Sequence, residues 1–419
     1  TLSGRRDGSN LFGAKTNDKW KPLWSTGVSW DIHQEQFYKS SLIPYLRLRA
    51  TYGYSGNVDQ AKTAFTIFQY LNNSPYTTSP IGRILSFANP ELRWEQVRMI
   101  NAGLDFRMKN NRLSGSIETY FKKGQDLFGT DLLDYTGGAG SSIIKNVASM
   151  KGHGLDIELN SINILSKSIN WKTDLNLSIN KDKVVDYYLP NKQGSNFVAR
   201  NIPAGLEGRP VFSIFSYKWA GLDPLTGDPL GYVNGIPSNN YVELTGSQTQ
   251  VTDLFYHGPA LPILFGSLGN NISIRKLSLA FRLTYKFGHY FRRESIRYFN
   301  LFGGANGHSD YSKRWQNPGD ELSTFIPSMS YPAVSSRDNF FTGSEVLVSK
   351  ADHIRFQYLT LNYDIEPNWI KGFKNAQLYF SINNIGIIWR ANKEGIDPDY
   401  PNATIPPAKS YSIGIRAGF

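Results

Sequence analysis

Leu277, Leu279, Phe281, Leu283, Tyr285 and Phe287 alternate with Ser278, Ala280, Arg282, Thr284 and Lys286. Successive side chains of a β-strand point to opposite faces, so this run offers one greasy face and one face that can meet water. The pattern recurs. Ala102, Leu104, Phe106 and Met108 alternate with Asn101, Gly103, Asp105 and Arg107, and Leu155, Ile157 and Leu159 with Asp156, Glu158 and Asn160. Trp171, Thr173, Leu175, Leu177 and Ile179 face away from Lys172, Asp174, Asn176, Ser178 and Asn180. The last strand repeats it with Tyr411, Ile413, Ile415, Ala417 and the closing Phe419. Half-buried soluble strands share this period, but they average about 5 or 6 residues. Strands of roughly 9 to 11 residues, apolar outside and polar inside, are what a barrel crossing an outer membrane needs. The pattern therefore predicts an all-β fold, an antiparallel transmembrane β-barrel.

In chain order the strands are expected at 24–32, 45–54, 99–108, 112–123, 151–160, 169–180, 211–219, 264–274, 277–288, 352–365, 375–383 and 410–419, about a dozen, with a thirteenth cut off at Thr1. In 45–54 the apolar set Leu46, Leu48, Ala50, Tyr52 and Tyr54 opposes Arg47 and Arg49, whose charges are costly in lipid and should point into the lumen. Lys109-Asn-Asn111 and Arg275-Lys276 are tight turns. Long polar loops are expected at about 55–90, 124–150, 181–210, 230–262, 292–349 and 384–409. Long loops at one end and short turns at the other fit loops outside the cell and turns in the periplasm. In 352–365 the alternation slips, with Phe356 and Tyr358 on one parity and Leu359, Leu361, Tyr363 and Ile365 on the other, which predicts a β-bulge near Tyr358.

Composition adds to this picture. Hydrophobic residues are 40% and mean hydropathy is −0.37, which excludes a bundle of membrane helices and suits a barrel, where every second residue meets lipid. Aromatics reach 14%, enough for interfacial girdles. Cysteine is absent, so disulfides and thiolate chemistry do not arise. The net charge of +11 permits nucleic-acid binding, but the cations are scattered without a basic run, so lumen lining and anionic lipid headgroups account for them better.

Catalytic constellations are not found. The histidines His33, His153, His257, His289, His308 and His353 lack zinc-ligand spacing, and there is no Gly-x-Ser-x-Gly elbow. Asp156 and Glu158 share a strand face about 7 Å apart; they read as lumen lining rather than as a glycosidase pair. Tyr135-Thr-Gly-Gly-Ala-Gly140 lacks the Gly-Lys-Ser/Thr of a phosphate loop, and the aspartates of Gly221-Leu-Asp-Pro-Leu-Thr-Gly-Asp-Pro229 lack EF-hand spacing and read as turns. Neither a cofactor nor an enzyme activity is expected.

Several segments together resemble the SusC/RagA family of TonB-dependent outer-membrane transporters of Bacteroidota. They are Arg6-Asp-Gly-Ser-Asn-Leu-Phe12, Leu48 through Tyr52-Gly-Tyr-Ser-Gly-Asn57, Asn89-Pro-Glu-Leu-Arg-Trp-Glu95, Asn101-Ala-Gly-Leu-Asp-Phe106, Arg112-Leu-Ser-Gly-Ser-Ile117 and Tyr120. Gly221 to Pro229, Leu359-Thr-Leu-Asn-Tyr363, Asn383-Asn384, Asp397-Pro-Asp-Tyr-Pro401 and Gly418-Phe419 continue the family's order. Within Asn146-Val-Ala-Ser-Met-Lys-Gly-His-Gly154 the family usually has Gly and Asn where this chain has Ala148 and Gly152.

The resemblance implies the C-terminal part of a large, roughly 22-stranded antiparallel transmembrane barrel. The family's plug domain and TonB-contacting segment precede the barrel and are not present here. Twelve or thirteen strands cannot close alone, so the remaining N-terminal strands and plug would come from the same polypeptide. The implied activity is energised uptake of oligosaccharides or peptides across the cell outer membrane. The implied partners are a SusD-like surface lipoprotein over the loops, TonB acting through the plug, and outer-membrane lipid, with no nucleic acid. By parity the lumen-lining candidates are Arg47, Arg49, Asp105, Arg107, Asp156, Glu158, Asp174 and Arg282; Tyr411, Ile413, Ile415 and Phe419 belong to the C-terminal barrel strand. No residue is assigned to substrate. The competing reading is a soluble or surface-exposed β-rich carbohydrate-binding module, which would dissolve without detergent.

Overall fold

Alternation of this kind is satisfied when each strand lies beside others of the same phase, and the computed structural model pairs them so. It describes residues 1–8, 20–57, 65–132, 142–188, 192–199, 205–304, 307–366, 375–401 and 405–418. Twelve strands form one antiparallel sheet in chain order. They are β1 Leu2–Gly8, β2 Trp20–Trp30, β3 Tyr45–Asn57, β4 Glu95–Arg107, β5 Leu113–Leu132, β6 Ser142–Leu165, β7 Ile169–Tyr187, β8 Leu264–Ile274, β9 Leu277–Phe287, β10 His353–Ile365, β11 Asn375–Arg390 and β12 Ser410–Gly418. Among the described residues no helix is long and apolar enough to cross a membrane.

Both predicted tight turns are present, and each places non-glycine residues in the left-handed region. Asn110 (φ 58°) and Asn111 (φ 55°) turn the chain between β4 and β5, where the short amide side chain lowers the steric cost. Arg275 (φ 52°) does so between β8 and β9. The predicted bulge also forms. The β9–β10 register jumps from Arg282↔Tyr358 to Leu283↔Phe356, leaving Gln357 unopposed, and β11 skips the same residue. The extra residue restores the apolar parity, so Phe356 and Leu359 share a face despite being three apart.

Contacts divide the chain into two units, Thr1–Leu159 with Ile179–Pro190 and Gly205–Val211, and Asn160–Ser178 with Asn191–Ala204 and Phe212–Phe419. In the first unit, Trp30, Leu48, Leu104 and Ile117 stand opposite one another across β2 to β5, with Thr26, Tyr52, Ile100 and Phe121 in a parallel row. Val28 is 71% exposed and Phe121 59%, so this apolar face is not covered by a second layer. In the second unit, Ile272, Leu279, Leu361, Phe380 and Ile413 form one row, and Ile274, Leu277, Tyr363, Leu378 and Ile415 the next. Ile413 is 76% exposed.

The second unit also carries a folded loop body from 212–263 and 289–352. Ile296, Tyr298, Ile326, Phe341 and Leu347 make its core, with Trp219, Leu301 and Tyr311 packed around them. A helix, Ser335–Gly343, delivers Phe340 and Phe341 to the interior.

Three expectations need correction or limits. The segment 211–219 does not join the large sheet: Ser213–Ser216 pairs with Phe255–Pro259, and Phe215 and Tyr217 are buried in the loop body. The strands on either side of the expected 124–150 loop run further, β5 to Leu132 and β6 from Ser142. Alternation marks a strand only where its two faces meet different surroundings, so these extensions carried no signal. The stretch 55–90 holds a small hairpin of its own, Ile67–Leu71 with Ile81–Ser86. Tyr135 to Gly140, Phe419 and the residues 9–12 of the first resemblance segment lie outside the described residues.

Candidate functional site

The polar face of the strands is the first place where chemistry could reside. In the first unit, Arg49 on β3 binds Asp105 on β4 through both carboxylate oxygens, each at 2.8 Å, and reaches Glu118 on β5 at 2.5 Å. Glu118 lies two strands away, and the residue between is Gly103. A Cβ at Gly103 would sit 3.2 Å from the Arg49 guanidinium, so the glycine leaves the channel the side chain uses. Tyr120 repeats the device: its ring covers Gly154 on β6, and its hydroxyl donates to Asn180 on β7 at 3.2 Å. In the second unit Arg282 on β9 crosses Gly269 on β8 to reach Asp174 on β7 at 2.7 Å.

The eight charged candidates carry the polar parity of their strands. Arg49 and Asp105 come together, as do Asp174 and Arg282. Arg47 instead donates to Ser29 at 3.0 Å and lies 3.5 Å from Asp31, and Arg107 stacks on Tyr45 at 5.2 Å. Asp156 and Glu158 share the parity of Gly154 and have no ion-pair partner among the described residues. Glu118 and the bridging glycines were missed by sequence, because recognising them takes the register of two successive strand pairs.

Gly269→Ala should test the device. The new Cβ would lie 2.3 Å from Asp174 Oδ1, so the carboxylate must move and lose Arg282. The expected cost is about 1–3 kcal/mol. In an Asp174→Ala background most of that cost should vanish in denaturant titrations, a coupling that independent sites would not show.

The loop body holds the second set of chemical groups. At its base Asp397-Pro-Asp399 clamps the ends of β9 and β10. Arg355 donates to Asp397 at 2.6 and 2.8 Å and to Asp399 at 3.1 Å, Lys286 reaches Asp399 at 2.7 Å, and His353 Nε2 lies 3.3 Å from it. Burial pushes the Asp399 carboxyl up, but the bonds from His353 and Lys286 outweigh it and hold it well below the usual carboxylate range. Deeper in, Asp310 accepts from Arg293 and Ser295, each at 2.6 Å; burial raises it, and these donors bring it down on balance. Arg337 ties the helix to Asp228 at 2.7 Å and to the Ser328 carbonyl at 2.9 Å. The Gly221–Pro229 segment is a turn as expected: Asp223 Oδ1 accepts from the amides of Leu225 and Thr226, and Gly227 takes φ 69°.

Two cavities open in this body. One, about 520 Å³, is lined by Tyr217, Tyr232, Asn234, Gln248, Asp253 and Phe340, and another, about 710 Å³, by Arg293, His308, Lys313, Thr324, Glu394 and Tyr400. Aromatic faces beside amide, hydroxyl and charged groups suit a ligand rich in hydroxyls or amides. Among the described residues no group of three or more His, Cys, Asp or Glu is placed to hold a metal.

Burial lowers two loop histidines to about 4, His257 with help from the Arg292 charge and His289 with help from His353. Unfolded, each would titrate near about 6.5. Between those values the unfolded loops bind protons that the folded loops refuse, so stability is complete above about pH 6.5 and is lost as pH falls toward 4, by up to about 3 kcal/mol per histidine. Limited proteolysis within 289–352 should therefore quicken on going from pH 7 to pH 5, and His257→Gln with His289→Gln should flatten that profile.

In the first unit the segment Asn89 to Glu95 has a structural task. Leu92 and Trp94 are buried with Phe128 and Ile144, Asn89 donates to the Ile144 carbonyl at 2.7 Å, and Asn146 both accepts from the Arg93 amide and donates to its carbonyl.

Comparison with known proteins agrees with this architecture. Residues 1–385 match the family described as TonB dependent receptor-like, beta-barrel. The TonB-dependent receptor P26 of Formosa agariphila is 27% identical over 462 residues, covering 100% of this chain and 44% of that protein. The TonB-dependent receptor SusC of Bacteroides thetaiotaomicron is 23% identical over 450 residues, covering 100% and 42%. A structure of the RagAB peptide transporter aligns with a TM-score of 0.78 at 23% identity, covering 100% of this chain and 45% of that one. At that identity the structural likeness speaks for the fold. The SusC/RagA resemblance and the barrel-type fold read from the sequence are borne out, and the chain spans less than half the length of these relatives.

Proposed function

The chain belongs to the TonB dependent receptor-like, beta-barrel family, and from that premise we propose that it forms wall and outer loops of an outer-membrane nutrient importer. The reading is carried by the two-faced sheet: apolar rows such as Ile272, Leu279, Leu361, Phe380 and Ile413 meet hydrocarbon, and the opposite parity lines a wet lumen. On this account Arg47, Arg49, Asp105, Arg107, Asp156, Glu158, Asp174 and Arg282 face the lumen, where Arg49 pairs with Asp105 and Arg282 with Asp174. Arg49 and Arg282, each tied to a carboxylate two strands away, hold neighbouring strands in register and leave Asp156 and Glu158 free to meet solute.

The connections at the end away from the tight turns, among them 65–94, 212–263 and 289–352, stand on the extracellular side, and the loop body with its cavities meets the solute there. Oligosaccharides and peptides fit the mixture of aromatic, amide and charged groups that line those cavities. A SusD-like lipoprotein over the loops and TonB acting through a plug would complete the machine; TonB dependence is in the names of the relatives, and the lipoprotein and plug follow from the SusC/RagA resemblance. The test is uptake by cells of the source organism. Deleting the gene should abolish accumulation of labelled oligosaccharide or peptide, and dissipating the proton-motive force should do the same in cells that retain it. Accumulation unchanged by either treatment would overturn the proposal.

A further inference from the structure

We propose that the apolar face of the first unit carries a binding site for the phosphates of an outer-leaflet glycolipid, formed by Arg98, Lys123, Lys151 and Lys183. The inference rests on the reading that these strands cross the outer membrane. It begins with register. Arg98 on β4 stands directly opposite Lys123 on β5, and opposite Tyr54 on β3. The next two partners follow from contacts between β5, β6 and β7. Lys122 lies over Gly152, Phe121 stacks on His153 at 6.2 Å, and Gly124 meets Met150, so Lys123 sits beside Lys151. A Cβ at Gly154 would meet the Ile179 carbonyl and one at Gly152 the Lys181 carbonyl, which sets Lys151 beside Lys183. Four neighbouring strands therefore present four cations at one level.

Like charges directly opposite in a sheet repel. Elsewhere in this unit several cations are relieved by acids: Arg49 has Asp105 and Glu118, Arg47 has Asp31, and Arg93 has Asp126. None of the four has an ion-pair partner among the described residues, and Arg98, Lys151 and Lys183 are exposed. Solvated lysines snorkelling at a membrane edge are common, but these four cations stand side by side on adjacent strands, where their charges repel. An external anion would relieve this row.

Position names the anion. The rows from Phe106 to Ile100 lie between the cations and the tight turn at 109–111, so Arg98 stands about 26 Å along the strand from Phe106, comparable with an apolar band of about 25 Å. Trp24, Tyr52 and Tyr54 pack together beside Arg98 with ring centroids 5.4 to 5.6 Å apart, the kind of aromatic cluster that marks a headgroup level. The cations lie at the end away from the short turn, which on the proposed topology is the outer leaflet. Guanidinium and ammonium groups at that depth match phosphates on a lipid whose acyl chains cover the rows below.

The intact protein in detergent, titrated with bis-phosphorylated lipid A and followed by native mass spectrometry, tests this. Replacing Arg98, Lys123, Lys151 and Lys183 with Gln should weaken retention by at least about tenfold, while Lys122→Gln on the opposite face should leave it unchanged. Dephosphorylated lipid A should bind the unaltered protein as weakly as phosphorylated lipid binds the quadruple variant. Should that variant lose its heat-shifted migration and hence its fold, Lys123→Gln with Lys151→Gln carries the test, with a loss of several-fold expected. Equal retention by folded variant and unaltered protein, or indifference to the phosphates, would overturn the site while the membrane reading stands. An intact protein that stays soluble and folded without detergent would overturn that reading itself.

Discussion

Leu359→Arg should destabilise the intact protein in lipid by about 2–4 kcal/mol, whereas Thr360→Arg one residue along should cost less than about 1 kcal/mol. Leu359 stands between Phe281 on β9 and Ile382 on β11, with Tyr411 beyond, near the middle of the apolar rows. A guanidinium there has neither water nor a carboxylate within the row, so it must snorkel or draw water into the bilayer. Thr360 has the opposite parity, beside Ala280 and Ser381, where its hydroxyl meets that of Ser381 at 3.1 Å. A charge on that side meets the wet face. Denaturant titration of the protein folded into liposomes measures both, and similar costs for the two substitutions would contradict the assignment of faces.

Phe340→Ala should have the largest effect within the loop body, about 3–5 kcal/mol. The ring is fully buried and packs against Tyr217, Trp219 and Tyr241 with centroids 5.7, 6.3 and 5.9 Å away. Gly231 yields the space it occupies, since a Cβ there would lie 2.7 Å from the ring. Removing the ring leaves a void that these side chains cannot fill, and it strips one wall from the 520 Å³ cavity. Proteolysis within 212–263 and 289–352 should accelerate by roughly two orders of magnitude or more, while the strands keep their resistance to denaturant. Loss of both together would mean that the loop body is not an independent unit of stability.

The contrast between these substitutions shows what was readable beforehand. Leu359 could be assigned a face from its neighbours in sequence, and the slip at Tyr358 revealed the bulge now seen at Gln357, because hydrocarbon on one side imposes a two-residue period. Phe340 could not be assigned. Its segment lies within a stretch rich in Gly, Asn, Ser and Pro, and its packing depends on residues more than a hundred positions away, such as Tyr217 and Trp219. The same limit explains 211–219, whose apolar residues read as a barrel strand although Phe215 and Tyr217 are buried in the loop body.

The candidate site divides in the same way. Arg49, Asp105, Asp174 and Arg282 were visible as polar-parity residues, but their pairing was not. Arg282 and Asp174 are 108 positions apart and meet only because Gly269 on the strand between them has no side chain. The cation row on the other face was hidden for a related reason: Arg98, Lys123, Lys151 and Lys183 are far apart in sequence and form no basic run. Asp397 and Asp399 belong to a segment that carries the family resemblance, and the structure adds their work as a clamp on Arg355, Lys286 and His353.

Single cysteines along β11 of the intact protein test the central claim most directly, since this chain has none of its own. Spin labels at Gln377, Leu378, Tyr379, Phe380, Ser381 and Ile382 in liposomes would be challenged in turn with oxygen, which concentrates in hydrocarbon, and with a polar nickel chelate. The predicted result is a two-residue period, with Leu378, Phe380 and Ile382 open to oxygen and Gln377, Tyr379 and Ser381 open to the chelate. Labels at Leu378, Phe380 and Ile382 shielded from both reagents, as a covering layer of protein would shield them, would contradict it.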